Sequence, residues 1–300
     1  VIYFIIAGLF RAFGISRVMR FFPPIVTGPI IIAIGLNLSS SAINNCATNW
    51  WIALVAIVIV VAANIWGKGM IKIIPIILGV LGSYIVAAVT GNVDFTSVKE
   101  AAWIGLPIHW NNTVFSIFSD TDVSLLITSI ITIVPISLAT IIEHIGDMSA
   151  ISSTVGRNYI ANPGLHRTLL GDGLATLLAS LFGAPANTTY GENTGVLSLT
   201  KVFDPRVIRL AACFAILFSF SPKFAALIGC MPAATVGGIS MVLYGMISAV
   251  GVRNLIEHQV DFSKSRNILI AALILVLAIG INYSDAGALA FTIGAVTISF

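Results

Sequence analysis

Apolar runs separated by short polar or basic turns fill almost the whole chain. They cover residues 1–10, 21–38, 50–66, 73–89, 122–145, 168–182, 192–200, 207–230, 233–250, 267–281 and 286–300, eleven segments in all. Several approach the ~20 residues that a membrane-spanning helix needs. Pro23-Pro24 opens the second segment, Pro75 sits in the first turn of the fourth, and Ser221-Pro222 interrupts the 207–230 region. Trp50, Trp51 and Trp66 stand at segment ends, where interfacial aromatics belong. Residues 39–49 read as a short uncharged loop and 253–266 as a surface segment. The stretch 91–121 is the longest polar one, with Asp94, Glu100 and Asp120 against Lys99.

One polar stretch breaks the pattern differently. Pro185 and the run Ala186-Asn187-Thr188-Thr189-Tyr190-Gly191-Glu192-Asn193-Thr194-Gly195 lie between apolar residues 174–182 and 196–202, with no flanking run of charges. The basic residues Arg11/Arg17/Arg20, Lys68/Lys72, Arg157/Arg167, Lys201/Arg206/Arg209 and Arg253/Lys264/Arg266 fall in alternate loops, and place those loops inside. The segment before the polar run then goes outward, and the segment after it, 192–200, is too short to return across a bilayer. The break therefore reads as re-entrant, with half-length helices meeting inside the membrane. Non-helical backbone at that depth is tolerated only where protein or a water-filled cavity surrounds it. An acidic side chain there marks a functional site.

Composition removes the soluble classes. The 300 residues are 58% hydrophobic and 9% charged, with a mean hydropathy of +1.03, whereas soluble domains carry roughly 25% charged residues. The fold class is an all-α polytopic membrane protein. The net charge of +3 comes from basic loops and not from a nucleic-acid surface. Cys46, Cys213 and Cys230 lack CxxC spacing and read as buried, inert thiols, neither disulfide framework nor metal site. No signal peptide precedes Val1. The chain opens and closes inside apolar runs, at Val1 and Phe300, and reads as a fragment of a longer protein, truncated at both ends.

Candidate chemistry gathers at two places. Glu143 and Asp147 are four apart and share a helix face at the end of the long 122–145 run. Glu143 follows roughly twenty uncharged residues, the length of a span, so it lies inside the bilayer boundary. A desolvated carboxylate there resists ionisation and is suited to couple proton flow to transport. His144 points about 100° away around the helix and reads as an interfacial or packing histidine. Glu143-His144 does not complete HExxH, so no zinc site is expected, and no cofactor other than a coupling proton. At the break, Glu192 starts the short helix, where the N-terminal dipole favours an acidic residue whether it caps or binds. Tyr190 offers a ring face and Gly191 close backbone approach. Two carboxylates beside a backbone edge suit a planar ligand with alternating N–H and C=O groups. An ion channel would spread polar residues along a pore instead of gathering them at one depth. An intramembrane enzyme would need a catalytic constellation that is not present, so no enzyme is expected.

At these residues the chain resembles a known family. Glu192-Asn193-Thr194-Gly195-Val196-Leu197-Ser198-Leu199-Thr200-Lys201 is similar to the signature of the nucleobase–ascorbate transporters (nucleobase:cation symporter-2). Asn162-Pro163-Gly164-Leu165-His166-Arg167, the run 187–193, and Val260-Asp261-Phe262 with Asn267 resemble the bacterial uracil permeases within it. The resemblance implies fourteen segments in two inverted repeats of seven, with half-helices and short extended segments at the midplane. The eleven here match the fourth to the fourteenth, the N-terminal three being absent. It also implies a core (substrate) domain, 1–22 and 122–230, and a gate domain, 23–121 and 231–300, through which a homodimer forms. Glu143 and Glu192 would bond the nucleobase, Tyr190 and Gly191 would line the pocket, Asn187 and Asn193 would support it, and proton symport would drive uptake. Asp147 stands where the best-known uracil pattern has His, so coupling would run through Glu143 and Asp147. The missing third segment would supply the opposing wall of the pocket. Glu192 in place of Gln favours uracil, whose N1–H and N3–H a carboxylate accepts, over a xanthine or purine substrate. An anion exchanger of the same fold would need a neutral or cationic site, which two carboxylates oppose.

Overall fold

The computed structural model describes residues 2–14, 17, 20, 23–108, 110–118, 123–190, 193, 194, 197, 201–284, 290–293 and 296–299. The helices in chain order are α1 (Ile2–Phe13), α2 (Pro24–Ala47), α3 (Trp50–Ile65), α4 (Met70–Ile73), α5 (Pro75–Val89), α6 (Thr96–Glu100), α7 (Val123–Val155), α8 (Leu165–Leu181), α9 (Pro205–Ser219), α10 (Pro222–Gly229), α11 (Ala233–Glu257) and α12 (Ser265–Asn282). A two-stranded antiparallel hairpin, β1 (Ala290–Ile293) with β2 (Val296–Ser299), follows α12. Among the described residues, α2, the 126–152 part of α7, α11 and α12 are long and apolar enough to span a membrane. The α9–α10 pair counts as a fifth span with a 93° bend. A polytopic helical membrane protein is what the sequence predicts.

Four expectations are corrected. Residues 39–47 are helical, because that stretch is polar but carries neither Gly nor Pro to stop α2. The helix carrying Glu143 and Asp147 does not end there. It runs to Val155, and stops at Gly156, which adopts φ +73°. Instead of a last span over 286–300, the described residues there form the hairpin. The segment is rich in Phe, Thr, Ile and Val, which favour a pleated backbone. Cys46 is buried as expected, but Cys213 is exposed and Cys230 half-buried.

Two compact units make up the chain: Val1–Asn37, Ile108–Thr194 and Ile247–Phe300 form the first; Leu38–Pro107 and Gly195–Met246 form the second. In the first, α1 packs on α7 and α8 through buried Ala7, Phe10, Ile141, Ile145, Leu165 and Leu169. The pairs Ile141/Ile145 and Leu165/Leu169 are four apart and so share one face of each helix. In lipid the hydrophobic effect does not pull helices together, so close packing and interhelical hydrogen bonds decide the association. Gly173, one turn beyond Leu169, supplies the close approach: a Cβ there would lie 2.8 Å from Cβ of Tyr3. Tyr3 also donates to Thr140 Oγ1 of α7 at 2.8 Å. Elsewhere in this unit α2 crosses α11 at Gly28 and Gly251, where a Cβ on Gly251 would meet Gly28 O at 2.8 Å. Asn254 donates to Thr27 Oγ1 at 2.8 Å and Ser248 to Ile32 O at 3.2 Å across the same crossing.

In the second unit, Cys46, Ile52, Ala53, Ala87 and Ala234 form one core and Ala56, Val60 and Ile239 another. Asn49 caps α3, its side chain accepting from Ile52 N at 3.4 Å. The α9–α10 bend follows from two helix starts. Asp204 and Ser221 act as caps, each followed by Pro at the first helical position.

Glycines on α8 give a direct test of the packing. Gly171 has nothing within 4 Å of an added Cβ, so Gly171→Ala should stabilise by up to ~1 kcal/mol through helix propensity. Gly173→Ala should destabilise by roughly 1–3 kcal/mol, because α1 must move away. Opposite signs in thermal unfolding of the purified variants are expected; equal shifts would contradict the α1–α8 contact.

Candidate functional site

The break begins where α8 ends. Phe182 closes the helix, Gly183 takes φ +77°, and Ala184 N donates back to Ala179 O at 3.0 Å. Gly183 N reaches Ser180 O at 3.4 Å. This pair of reversed bonds around a left-handed glycine is a Schellman end, which turns the chain back on its helix. Pro185 follows, and residues 184–190 have no regular structure.

Two side chains of α8 then hold the returning backbone. Thr176 Oγ1 donates to Asn187 O at 3.0 Å. Thr189 Oγ1 donates to Asp172 Oδ2 at 3.3 Å. Residue numbers fall on α8 as they rise along the break, so the two run antiparallel. Four helical residues rise about 6 Å, and two extended residues cover nearly the same length, which is why 172 and 176 match 189 and 187. Thr168, Asp172 and Thr176 form one polar stripe of α8, beside the apolar stripe Leu165, Leu169 and Gly173 that packs on α1.

From α7, His144 reaches both elements. Its Nδ1 lies 2.7 Å from Thr189 Oγ1 and 3.3 Å from Asp172 Oδ2, and its Nε2 lies 2.9 Å from Thr168 Oγ1. His144 is therefore a buried packing residue and not an interfacial one. Asp147 is buried, at 5% exposure, one turn after Glu143, which is half-buried. Both lie well within α7, on the face adjoining His144. On the break, Tyr190 is 65% exposed and Asn187 is exposed, contributing its carbonyl to Thr176. Asn193 is helical and exposed, its N–H 3.4 Å from Tyr190 O. Gly191 and Glu192 lie outside the described residues. Buried Thr188 Oγ1 and Thr194 Oγ1 bond to no group among the described residues. No cluster of three or more metal-ligating side chains occurs among them.

The structure thus brings Glu143, Asp147 and the break together within one unit. It adds Asp172, Thr168 and Thr189, which the sequence reading missed. Asp172 was visible as an ionisable residue inside an apolar segment, the usual mark of a functional position in a membrane helix. Its partners were not visible. Chemically, the site offers carboxylates, hydroxyls without partners among the described residues and a carbonyl-bearing extended backbone, which suits a small polar ligand with several N–H and C=O groups.

The family model described as "Permease family" (Xan_ur_permease) matches residues 1–287. The chain belongs to this permease family. It is 39% identical over 293 residues to the uracil permease of Bacillus subtilis (strain 168), with 93% of this chain and 66% of that protein covered. It is 38% identical over 288 residues to the uracil permease of Bacillus caldolyticus, with 93% and 66% covered. Against the uracil permease of Escherichia coli (strain K12) it is 33% identical over 290 residues, with 93% and 65% covered. The chain spans about two thirds of the length of these relatives. The motif at 192–201 pointed to the same group of permeases.

The Schellman end is testable alone. Gly183→Ala places a side chain in the left-handed region and should cost about 1 kcal/mol. An unchanged unfolding midpoint would contradict the reversal described here.

Proposed function

We propose that this chain is the substrate-binding part of a secondary active transporter, not an enzyme, that takes up uracil across the cytoplasmic membrane by proton symport. The observation that carries the proposal is similarity to uracil permeases over 93% of the chain, at 33–39% identity, through the carboxylate helix and the break. Uracil presents N–H donors and C=O acceptors around a flat ring. Glu143 and Glu192 accept the donors, and Tyr190 and Gly191 line the pocket. Asn187 and Asn193 hold the break in shape. Glu143 and Asp147, one turn apart on α7, take and release the coupling proton.

In this reading, 1–22 and 122–230 act as the core domain, and 23–121 and 231–300 as the gate that pairs two copies. The architecture is the inverted seven-plus-seven repeat. A purine or xanthine substrate is the alternative within the family.

In liposomes containing the purified full-length protein, labelled uracil should accumulate under an inward proton gradient and be released by an uncoupler. Uptake indifferent to the gradient contradicts symport, and stronger competition by xanthine than by uracil assigns the purine alternative. Glu192→Ala should remove binding. Asp147→Asn should flatten the pH dependence of uptake while uracil affinity stays within about threefold, as for a residue acting on coupling more than on the bound ground state.

A further inference from the structure

Neither His144 nor Asp172 belongs to the ligand-contacting set above, yet they form a polar cluster sealed from solvent, with side chains 5% and 8% exposed. Thr168 Oγ1 also reaches Leu165 O at 3.1 Å, and Thr189 Oγ1 reaches Asp172 Oδ2 at 3.3 Å. Each imidazole nitrogen thus has a polar partner: Nδ1 faces Thr189 and Asp172, and Nε2 faces Thr168. Removing one member would leave a buried polar group unpaired, which costs more than the bond itself is worth.

Packing alone would account for a satisfied buried histidine. Its connections go further. It sits beside Glu143 in α7, bonds α8 at Thr168 and Asp172, and bonds the break at Thr189, the residue before Tyr190. We infer that His144 is a positioning residue: together with Asp172, it pins Thr189 and so fixes where the chain enters the run that starts at Tyr190. Its effect on transport rests on the nucleobase reading above; the clamp itself does not.

Thr188 gives the reporter, because its side-chain oxygen is buried in the break, and Cys46 is a fully buried native control. In the full chain with Cys213→Ser, Cys230→Ser and Thr188→Cys, a bulky aqueous maleimide should label position 188 slowly. Adding His144→Ala, Asp172→Asn or Thr189→Val should speed that labelling about tenfold, as expected when a net hydrogen bond is lost, with Cys46 still unlabelled. If His144→Ala exposes Cys46, the chain has unfolded, and Thr189→Val, equal in shape and lacking only the hydroxyl, decides. Labelling at 188 unchanged by Thr189→Val overturns the clamp.

Without the labelling substitutions, His144→Ala should raise KM for uracil about tenfold with Vmax changed less than threefold, and His144→Gln should recover part of the loss. No uracil uptake in the unsubstituted protein, together with accelerated labelling in the variants, removes the transport reading and leaves the clamp. Unchanged labelling with intact uptake does the reverse.

Discussion

A stretch of non-helical backbone must find partners for its polar groups wherever water is kept out. Here the supply is the polar stripe of α8. Thr176 takes the Asn187 carbonyl, and Asp172 takes the Thr189 hydroxyl. The stripe can serve because Gly183 reverses the chain immediately and Pro185 keeps it from resuming a helix. The carboxylate helix then meets a backbone already aligned with α8, and His144 joins the two.

That arrangement divides the labour on α8 by face. Leu165, Leu169 and Gly173 bring α1 close, while Thr168, Asp172 and Thr176 hold the site. A helix that packs on one side and feeds hydrogen bonds on the other ties the rigidity of the core to the geometry of the break. Individual interhelical hydrogen bonds in membranes are worth only about 0.6 kcal/mol on average. No single contact therefore explains the site, and the network of four side chains matters more than any pair.

Much of the architecture could be read from the sequence. The apolar runs gave α3, α5 and α12 nearly at their observed bounds, because in those places polarity changes where the helix stops. At 39–47 and 148–155 polarity changed but the helix continued, since leaving an apolar environment does not break a helix and only Gly156 or the turn at Thr48 does. The hairpin at 290–299 was read as a span because a short apolar run of β-branched residues has no distinguishing period. At the site, the break stood out by Pro185 and its polar run, and Glu143 and Asp147 by their spacing. Asp172 was visible only as a lone ionisable residue in an apolar segment, because its meaning comes from Thr189, 17 residues on, and from His144, itself 45 residues from Thr189. Pairings of that kind belong to tertiary structure and leave no local pattern.

The return of the break along α8 is the feature on which the site depends, and disulfide trapping measures it directly. With Cys213→Ser and Cys230→Ser, the pair Asp172→Cys and Thr189→Cys should cross-link readily under mild oxidation in native membranes, because the two side chains meet, with Thr189 Oγ1 3.3 Å from Asp172 Oδ2. No cross-link, with both cysteines freely modified by an aqueous thiol reagent, would mean that residues 184–190 form an ordinary outward loop and that the site described here does not exist.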